Sequence, residues 1–328
     1  MSTPLSSPAT AAVLHALHGE TMGTNWSVRL VDSPRADLHA LHALIQAGLD
    51  RVVAQMSTWE ADSDISRFNR APAGHWQDLP DEFFTVLRCA LAVAEASDGA
   101  FDPTVGPLIG AWGFGAHAGA REAPDDAARA SAGARVGWQR VSLDAANRRV
   151  RQPGGVQLDL SAVAKGYAVD SVAAALRARG IAAALVEVGG ELHGYGRKPD
   201  GEAWRVLIES SPEEEEAAGL APRIAHLDDL AVATSGDRWH WYGQAGERYT
   251  HTVDPRTGRP VPHARAAVTV LAANAMEADA WATALTVLGA DAGLALAERR
   301  GLAARFVIRT EGSLQERAST RFASHLVP

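Results

Sequence analysis

Residues 158–188 read LDLSAVAKGYAVDSVAAALRARGIAAALVEV, and the fold prediction starts from them. Between Lys165 and Arg179 the apolar side chains recur at helical spacing, and Gly180 is a typical helix stop. The residues AALVEV at 183–188 are apolar and partly β-branched, which predicts a buried strand. The stretch therefore predicts a loop, a helix and a strand in direct succession.

The flanking sequence contains both the two-residue period of strands and the helical period. Residues 24–31, TNWSVRLV, alternate as a half-buried strand does, whereas residues 36–56, 81–96 and 275–288 carry apolar side chains at helical spacing. Residues 99–115 are so rich in Gly and Pro that no regular element is expected there. Because helices and strands do not alternate as βαβ units, we predict an α+β fold with mixed or antiparallel sheets packed with helices. Further strands are predicted at 203–210, 230–235, 248–253, 266–272 and 303–310.

The sequence shows no internal repeat and no clear linker, which predicts one domain over residues 19–328 built of two intimately packed halves. Residues 1–18 are expected to be disordered or poorly ordered. Their apolar stretch is short, has no basic segment before it, and is interrupted by His15 and His18, unlike a signal peptide. No apolar run reaches the roughly 18 residues of a spanning helix, so no membrane span is expected.

The composition excludes several classes of protein and site. A net charge of -8 over 328 residues is unsuited to electrostatic binding of nucleic acid or of an anionic membrane. Cys89 is the one cysteine, which excludes an intrachain disulfide and a zinc site built from several cysteines. Lys165 and Lys198 are the two lysines among 31 basic residues, so each stands out against an arginine background.

A carboxylate and a hydroxyl share one face of the helix predicted at 275–288. Asp279 and Thr283 are four residues apart and therefore lie on the same side. Their oxygens are hard ligands that suit Mg²⁺, an ion commonly shared with substrate phosphates. The alternative is an exposed Asp beside a Thr that bonds back to its own helix.

Three further segments carry candidate functional side chains. Lys165 begins a helix just after Asp159 and Ser161, where backbone amides and a cation would favour a phosphate; the alternative is a capped helix with an exposed Lys. His251 ends a strand three residues before the turn at 254–258, and it could be a general base or a structural His. Asp102 could accept hydrogen bonds from a flat ring, or cap a helix before Pro103.

In order and wording the motifs resemble the FAD:protein FMN transferase family, also called ApbE-like. The matching pieces span roughly residues 19–289, and three of them are specific: AKGYAVD, HTVDPRTG and ADAWATAL. The others are ETMGTNWSV, MSTWEADSDISRFN, GAFDPTVGPL, VEVGGELHGYG and AVATSGD.

The resemblance implies roles for particular residues. Asp279, Thr283 and the backbone carbonyl of Ala162 would hold Mg²⁺, and His251 would sit at the reacting phosphate. Trp59 stands where the family usually has Tyr; it could stack on a ring but has no phenol hydroxyl. The FAD site would be lined by Met22, Trp59, Ala100, Phe101, Asp102, Asp159, Lys165 and Val253.

The implied activity is Mg²⁺-dependent transfer of FMN from FAD to a Thr or Ser hydroxyl of an acceptor flavoprotein, with release of AMP. Hydrolysis of FAD to FMN and AMP is an alternative at the same site. A non-catalytic flavin-binding or delivery protein is an alternative of another class, and a flavin oxidoreductase is disfavoured because no nicotinamide-binding loop is present. As written, the sequence predicts a cytoplasmic protein, or a periplasmic one if the natural start lies upstream.

Overall fold

The computed structural model describes residues 12–116, 121–208, 212–236, 241–244, 246–262, 267–310 and 313–326. The helices in these ranges are α1 (Leu38–Met56), α2 (Asp64–Arg70), α3 (Asp81–Ala96), α4 (Gly106–Ala111), α5 (Asp126–Gly133), α6 (Ala164–Ala178), α7 (Pro212–Ala217), α8 (Ala275–Arg300) and α9 (Thr320–Ala323). The strands are β1 (Val13–Thr21), β2 (Thr24–Asp32), β3 (Trp76–Asp78), β4 (Ser142–Asp144), β5 (Arg149–Arg151), β6 (Ala183–Val188), β7 (Glu191–Tyr195), β8 (Trp204–Ile208), β9 (Arg223–Leu227), β10 (Leu230–Gly236), β11 (Trp241–Gln244), β12 (Glu247–Thr250), β13 (Val253–Asp254), β14 (Arg259–Pro260), β15 (Ala267–Ala272), β16 (Ala303–Thr310) and β17 (Ser313–Ala318).

An eight-stranded sheet forms the centre of the molecule, in the order β1-β2-β6-β7-β10-β15-β16-β17. Every neighbouring pair in it is antiparallel. Strands from the beginning, middle and end of the chain therefore meet in one sheet. This arrangement confirms the predicted α+β class with antiparallel sheets. The division into two halves stays a prediction.

The sheet is buried on both faces. On β6, Ala184, Val186 and Val188 join the large core cluster, while Ala183 and Leu185 pack in a second cluster. Because successive strand side chains point to opposite faces, the two clusters lie on opposite sides of the sheet. The large cluster contains side chains of α1, α3, α6 and α8, and the second is covered by the antiparallel pair β8–β9 and by α9.

Helices α6 and α8 cross at very short range. A Cβ atom added at Gly166 would lie 2.2 Å from the carbonyl oxygen of Ala275, so only glycine lets the two backbones approach this closely. Helix α8 is interrupted at Gly289, whose φ of 75° is non-helical, so its first part ends where the helix predicted at 275–288 ends. By length and composition α8 could span a membrane, but 61% of its apolar window is buried inside this fold.

The predicted disorder of residues 1–18 is wrong for residues 13–18, which belong to β1 and pair with β2 through a full register. The polar side chains that break the apolar run are tolerated because β1 is an edge strand: His18 is exposed, and His15 bonds the Ser33 carbonyl at 2.9 Å. The connection is a two-residue turn at Met22 and Gly23, both with positive φ, the geometry that tight hairpins favour. Residues 1–11 lie outside the described residues.

The expectation of no regular element at 99–115 is also wrong, because α4 occupies residues 106–111. Pro107 lies in the first turn, where a missing N–H is not needed by the helix. Leu108 and the C-cap residue Trp112 are buried in a common cluster, and Trp112 donates a hydrogen bond to the Gly258 carbonyl at 2.8 Å. Tertiary packing thus outweighs the unfavourable local composition.

Candidate active site

A cleft of about 540 Å³ opens where the turn between β6 and β7, the end of β10 and the start of β15 meet the middle of α8. Its volume lies within the range of about 300–1,000 Å³ that is usual for small-molecule sites. The walls come from widely separated parts of the chain. The predicted site residues among its lining are Ala100, Phe101, Asp102, Asp159, Ala162, Lys165, His251, Val253, Asp279 and Thr283.

The remaining predicted site residues, Met22 and Trp59, are not part of this lining. Met22 is half-buried in the β1–β2 turn and packs against the large core cluster. That turn adjoins the cleft, since a Cβ at Gly189 would lie 2.8 Å from Thr24. Trp59 lies between α1 and α2 and is 72% exposed. The contacts of these two residues with FAD stay predictions.

The carboxylate of Asp279 is held at the floor of the cleft. Asp279 is 5% exposed, and its Oδ2 accepts a hydrogen bond from the Gly166 amide at 3.1 Å. Thr283 lines the cleft one turn further along α8. The reading of Asp279 as an exposed surface residue is therefore wrong. Thr286, rather than Thr283, is seen to bond back to its helix, to the Ala282 carbonyl at 2.8 Å.

Lys165 forms an ion pair with Glu191, the first residue of β7. The Nζ and Oε2 atoms are 2.7 Å apart, and Glu191 is 2% exposed. Burial favours the neutral amine, but the carboxylates of Glu191 and Asp279 outweigh it and raise the pKa of Lys165. Lys165 is thus a cation that lies beside Asp279 at the helix start predicted from the sequence.

Carboxyl groups outnumber basic side chains in the cleft. Among the described lining residues, Lys165 is the one Lys or Arg, and it stands against the carboxylates Asp102, Asp159, Glu191 and Asp279. Burial raises the pKa of Glu191 to about 8, with Asp279 adding to the effect and Lys165 opposing it. Burial likewise raises the pKa of Asp279, against Lys165 and the Gly166 amide. Such a desolvated carboxylate pair favours binding of a further cation.

Asp102 organises the loop before α4. It is 7% exposed, its Oδ1 accepts bonds from the Thr104 amide and hydroxyl, and its Oδ2 accepts one from the Trp138 amide at 3.1 Å. Burial raises the pKa of Asp102, although these bonds oppose the shift. Because α4 begins only at Gly106, Asp102 is not its N-cap. The Oδ2 atom keeps lone-pair capacity for a ligand.

The loop that carries Asp159 and Ala162 is fixed by side chains from elsewhere. The Asn69 side chain bonds both backbone groups of Leu158. Its Nδ2 donates to the Leu158 carbonyl at 2.9 Å, and its Oδ1 accepts from the Leu158 amide at 2.7 Å. The Asp159 amide donates to the Pro103 carbonyl at 2.8 Å, and its Oδ1 accepts from the Ser161 amide at 2.9 Å. Asn69 thus supports one cleft loop from α2, a role that its motif did not reveal.

His251 follows β12 directly and lines the cleft beside Val253. Its ring meets Phe114 edge-on, with the centroids 6.4 Å apart. The turn after it is braced by Arg256, which bonds both carboxylate oxygens of Asp254 at 2.9 Å. This confirms the predicted turn at 254–258, which begins three residues after His251.

Several lining residues were not predicted. Glu191 lies in VEVGGELHGYG, and the signal that indicates it there is a carboxylate inside a strand of mostly buried residues. The wall formed by Val206, Leu207 and Ile208 of β8 could not be found from sequence, because a short apolar strand carries no sign of what it faces. The lining at Thr234, Ser235 and Gly236 falls within the AVATSGD piece.

Comparison with known proteins gives one consistent result. The model of the ApbE family matches residues 22–306. The FAD:protein FMN transferase of Klebsiella pneumoniae is 35% identical over 329 residues, covering 99% of this chain and 92% of the relative. The crystal structure of the apo form of the flavinyl transferase ApbE of Pseudomonas stutzeri superposes with a TM-score of 0.88 at 39% identity, over 96% of this chain and 97% of that one. The ApbE protein of Thermotoga maritima superposes at 0.82 with 30% identity, over 96% and 100%.

Proposed function

Because this chain belongs to the ApbE family, we propose that it is an FAD:protein FMN transferase, which moves FMN from FAD to a Thr or Ser hydroxyl of an acceptor flavoprotein and releases AMP. The observation that supports this most is the buried Asp279 beside Thr283, 3.1 Å from the amide of Gly166 in the helix start that carries Lys165. The two segments that must converge on a pyrophosphate are therefore adjacent.

The donor set of the cleft fits Mg²⁺. Asp279, Thr283 and the Ala162 carbonyl would hold the ion, and all are oxygen donors of the kind that Mg²⁺ prefers. The excess of carboxylates over Lys165 would repel the doubly charged pyrophosphate of FAD unless a cation intervened. When bound, Mg²⁺ would neutralise charge on the phosphates and on the departing AMP.

The chain's own residues supply the rest of the chemistry. Lys165 would bind a phosphate oxygen, and the Gly189–Gly190 turn lets the backbone line the same wall without side chains. His251 would accept the proton of the acceptor hydroxyl while the hydroxyl oxygen forms a bond to the FMN phosphorus. The bond from that phosphorus to the bridging oxygen then breaks, and the bridging oxygen leaves with AMP.

The proposal is tested with FAD, Mg²⁺ and a purified candidate acceptor, by measuring AMP release together with the covalent FMN adduct. We expect both products in equal amounts, and neither after removal of divalent ions by a chelator. Activity that persists in chelator-treated protein would remove the metal from the mechanism, whereas AMP without adduct would favour hydrolysis of FAD.

Hydrolysis needs the same cleft, with water in place of the hydroxyl, so omission of the acceptor separates it from transfer. A transferase should release little AMP from FAD alone, and a hydrolase should release it at the full rate. A non-catalytic flavin carrier would bind FAD and give no AMP in either mixture.

A further inference from the structure

Asp170, the last residue of the AKGYAVD piece, does not line the cleft but bonds the first turn of α8. Its Oδ1 accepts the amide of Ala275 and its Oδ2 accepts the amide of Met276, both at 2.9 Å. These amides have no partner within the helix, and a carboxylate is favoured at its positive end. Asp279 follows Ala275 by four residues, about 6 Å along the axis, so a displacement of this turn also displaces Asp279.

Helix α6 reaches α8 at a second point. Gly166 and Asp170 are four residues apart and therefore share one face of α6. Gly166 donates its amide to Asp279 itself at 3.1 Å, while Asp170 holds the start of the same helix. Position and orientation of the Asp279 carboxylate are thus both set by α6.

Helix α6 is in turn fixed to the sheet by two polar contacts. Glu191 and His193 point to the same face of β7. Glu191 pairs with Lys165 at 2.7 Å, and His193 pairs with Asp170 at 2.9 Å. Glu191 and His193 are two residues apart on β7, which is about 6.7 Å, and Lys165 and Asp170 are five apart on α6, which is about 7.5 Å. The two separations are similar, so both contacts can form when α6 lies along β7. The helix is therefore located against the sheet at both contacts.

His193 is buried and lies within the central sheet. It is 5% exposed, and its backbone is paired with Val186 on one side and Ala231 on the other. A carboxylate can only accept, so the His193 Nδ1 atom must carry the hydrogen and donate it to Asp170 Oδ1. The other ring nitrogen is 3.6 Å from Asp229 Oδ1, beyond hydrogen-bond length.

We propose that Asp170, held by His193, is a positioning residue that places Asp279 for cation binding. The inference rests on the proposed function, because it assigns a cation to Asp279. Groups that orient a metal ligand typically affect metal affinity by about 10–100-fold. Loss of the Asp170 contacts should therefore weaken the cation site, although neither Asp170 nor His193 lines the cleft.

The test uses Mn²⁺ as the probe, titrated into the FAD-loaded protein without acceptor and followed by the electron paramagnetic resonance signal of the free ion. A titration of FAD alone gives the background, and thermal unfolding is measured in parallel. Asp170→Asn replaces one accepting oxygen by a donor, and His193→Leu removes the ring. His193→Asn keeps a donor at the same number of bonds from Cβ as Nδ1.

We expect Asp170→Asn and His193→Leu to raise the Mn²⁺ dissociation constant about tenfold or more, and His193→Asn to stay within about twofold of wild type. The matched control is Asn274→Ala, which removes the side-chain cap that accepts the Glu277 amide at 2.8 Å. That hydrogen bond lies within the start of α8 and makes no contact with α6. The control should therefore lower the unfolding temperature with little change in Mn²⁺ affinity.

Wild-type affinity in both Asp170→Asn and His193→Leu, or an equal loss in Asn274→Ala, would overturn the positioning role. If Asp170→Asn does not fold, the pair His193→Leu and His193→Asn decides alone, and equal affinities overturn the inference. Asp279→Asn separates the two proposals. If it binds Mn²⁺ as tightly as wild type, the cation site itself is wrong; if it loses binding, a negative result at Asp170 concerns positioning alone.

Discussion

At the scale of single residues, the cleft is distinguished by carboxyl groups that outnumber its one lysine, Lys165. Four carboxylates and one lysine line it among the described residues, and Glu191 and Asp279 are almost fully buried. We therefore expect an anionic substrate to bind there together with a cation. The individual residues therefore predict different kinds of defect when they are replaced.

His251→Ala should slow FMN transfer by about 10²–10⁴-fold, because a general base typically contributes that much. FAD affinity should change little, since the proposed role is proton transfer. Single-turnover flavinylation of the acceptor, with FAD binding measured separately, checks this. A variant that flavinylates at the normal rate would show that another group accepts the proton.

Asp279→Asn should reduce metal-dependent transfer by at least about 100-fold, since charge stabilisation by a bound ion is worth several kcal/mol. The amide keeps an oxygen for the Gly166 contact, so the fold should be retained. The Mg²⁺ dependence of the initial rate measures this. An unchanged Mg²⁺ profile would contradict a ligand role for Asp279.

Cys89 should be almost unreactive in the folded protein. Burial raises the pKa of its thiol to about 12, with the carboxylates of Glu277 and Asp170 adding to the shift. A raised pKa lowers the thiolate fraction at pH 8, so alkylation should be at least about 100-fold slower than in denatured protein, where the pKa is near 8.5. Mass-spectrometric labelling rates decide this, and rapid labelling of folded protein would contradict it.

At the scale of secondary-structure elements, the site depends on the contact between α6 and α8. Gly166 permits the close approach, and its amide and Asp170 then fix the helix that carries Asp279. The specific motifs AKGYAVD and ADAWATAL are thus the two sides of one interface. The residues of these motifs therefore serve helix packing as well as chemistry.

Gly166→Ala should lower the free energy of unfolding by about 1–3 kcal/mol, the usual effect of overpacking, because the new Cβ would lie 2.2 Å from the Ala275 carbonyl oxygen. Gly133→Ala is the matched control: a Cβ there meets nothing within 4 Å, and we expect a change within about 0.5 kcal/mol. Urea unfolding of both variants measures the difference. Equal stability of the two would contradict the close helix contact.

Sequence periodicity predicted the long elements well. Helix α3 has the predicted bounds, and the helix predicted at 275–288 ends where α8 is interrupted at Gly289. Local signals failed at α4 and β1, because burial of Leu108 and edge pairing with β2 are contacts between distant residues. The same limit explains why Asn69 was missed in the site, since it acts through a contact with the distant Leu158.

At the scale of the whole molecule, one antiparallel sheet brings loops from most of the chain to a single cleft. The turn at Gly189–Gly190, the loop at Asp159, the segment at His251 and the middle of α8 are distant in sequence and adjacent in space. This convergence is the basis of the proposed transfer, since FAD, cation and acceptor hydroxyl must meet there together.

The most direct test is co-expression with a candidate acceptor flavoprotein, followed by mass spectrometry of the intact acceptor and its peptides. With the wild-type chain we predict an FMN adduct on one Thr or Ser, and with Asp279→Asn a loss of nearly all of it. An adduct that forms equally well with Asp279→Asn would contradict a mechanism centred on the cleft.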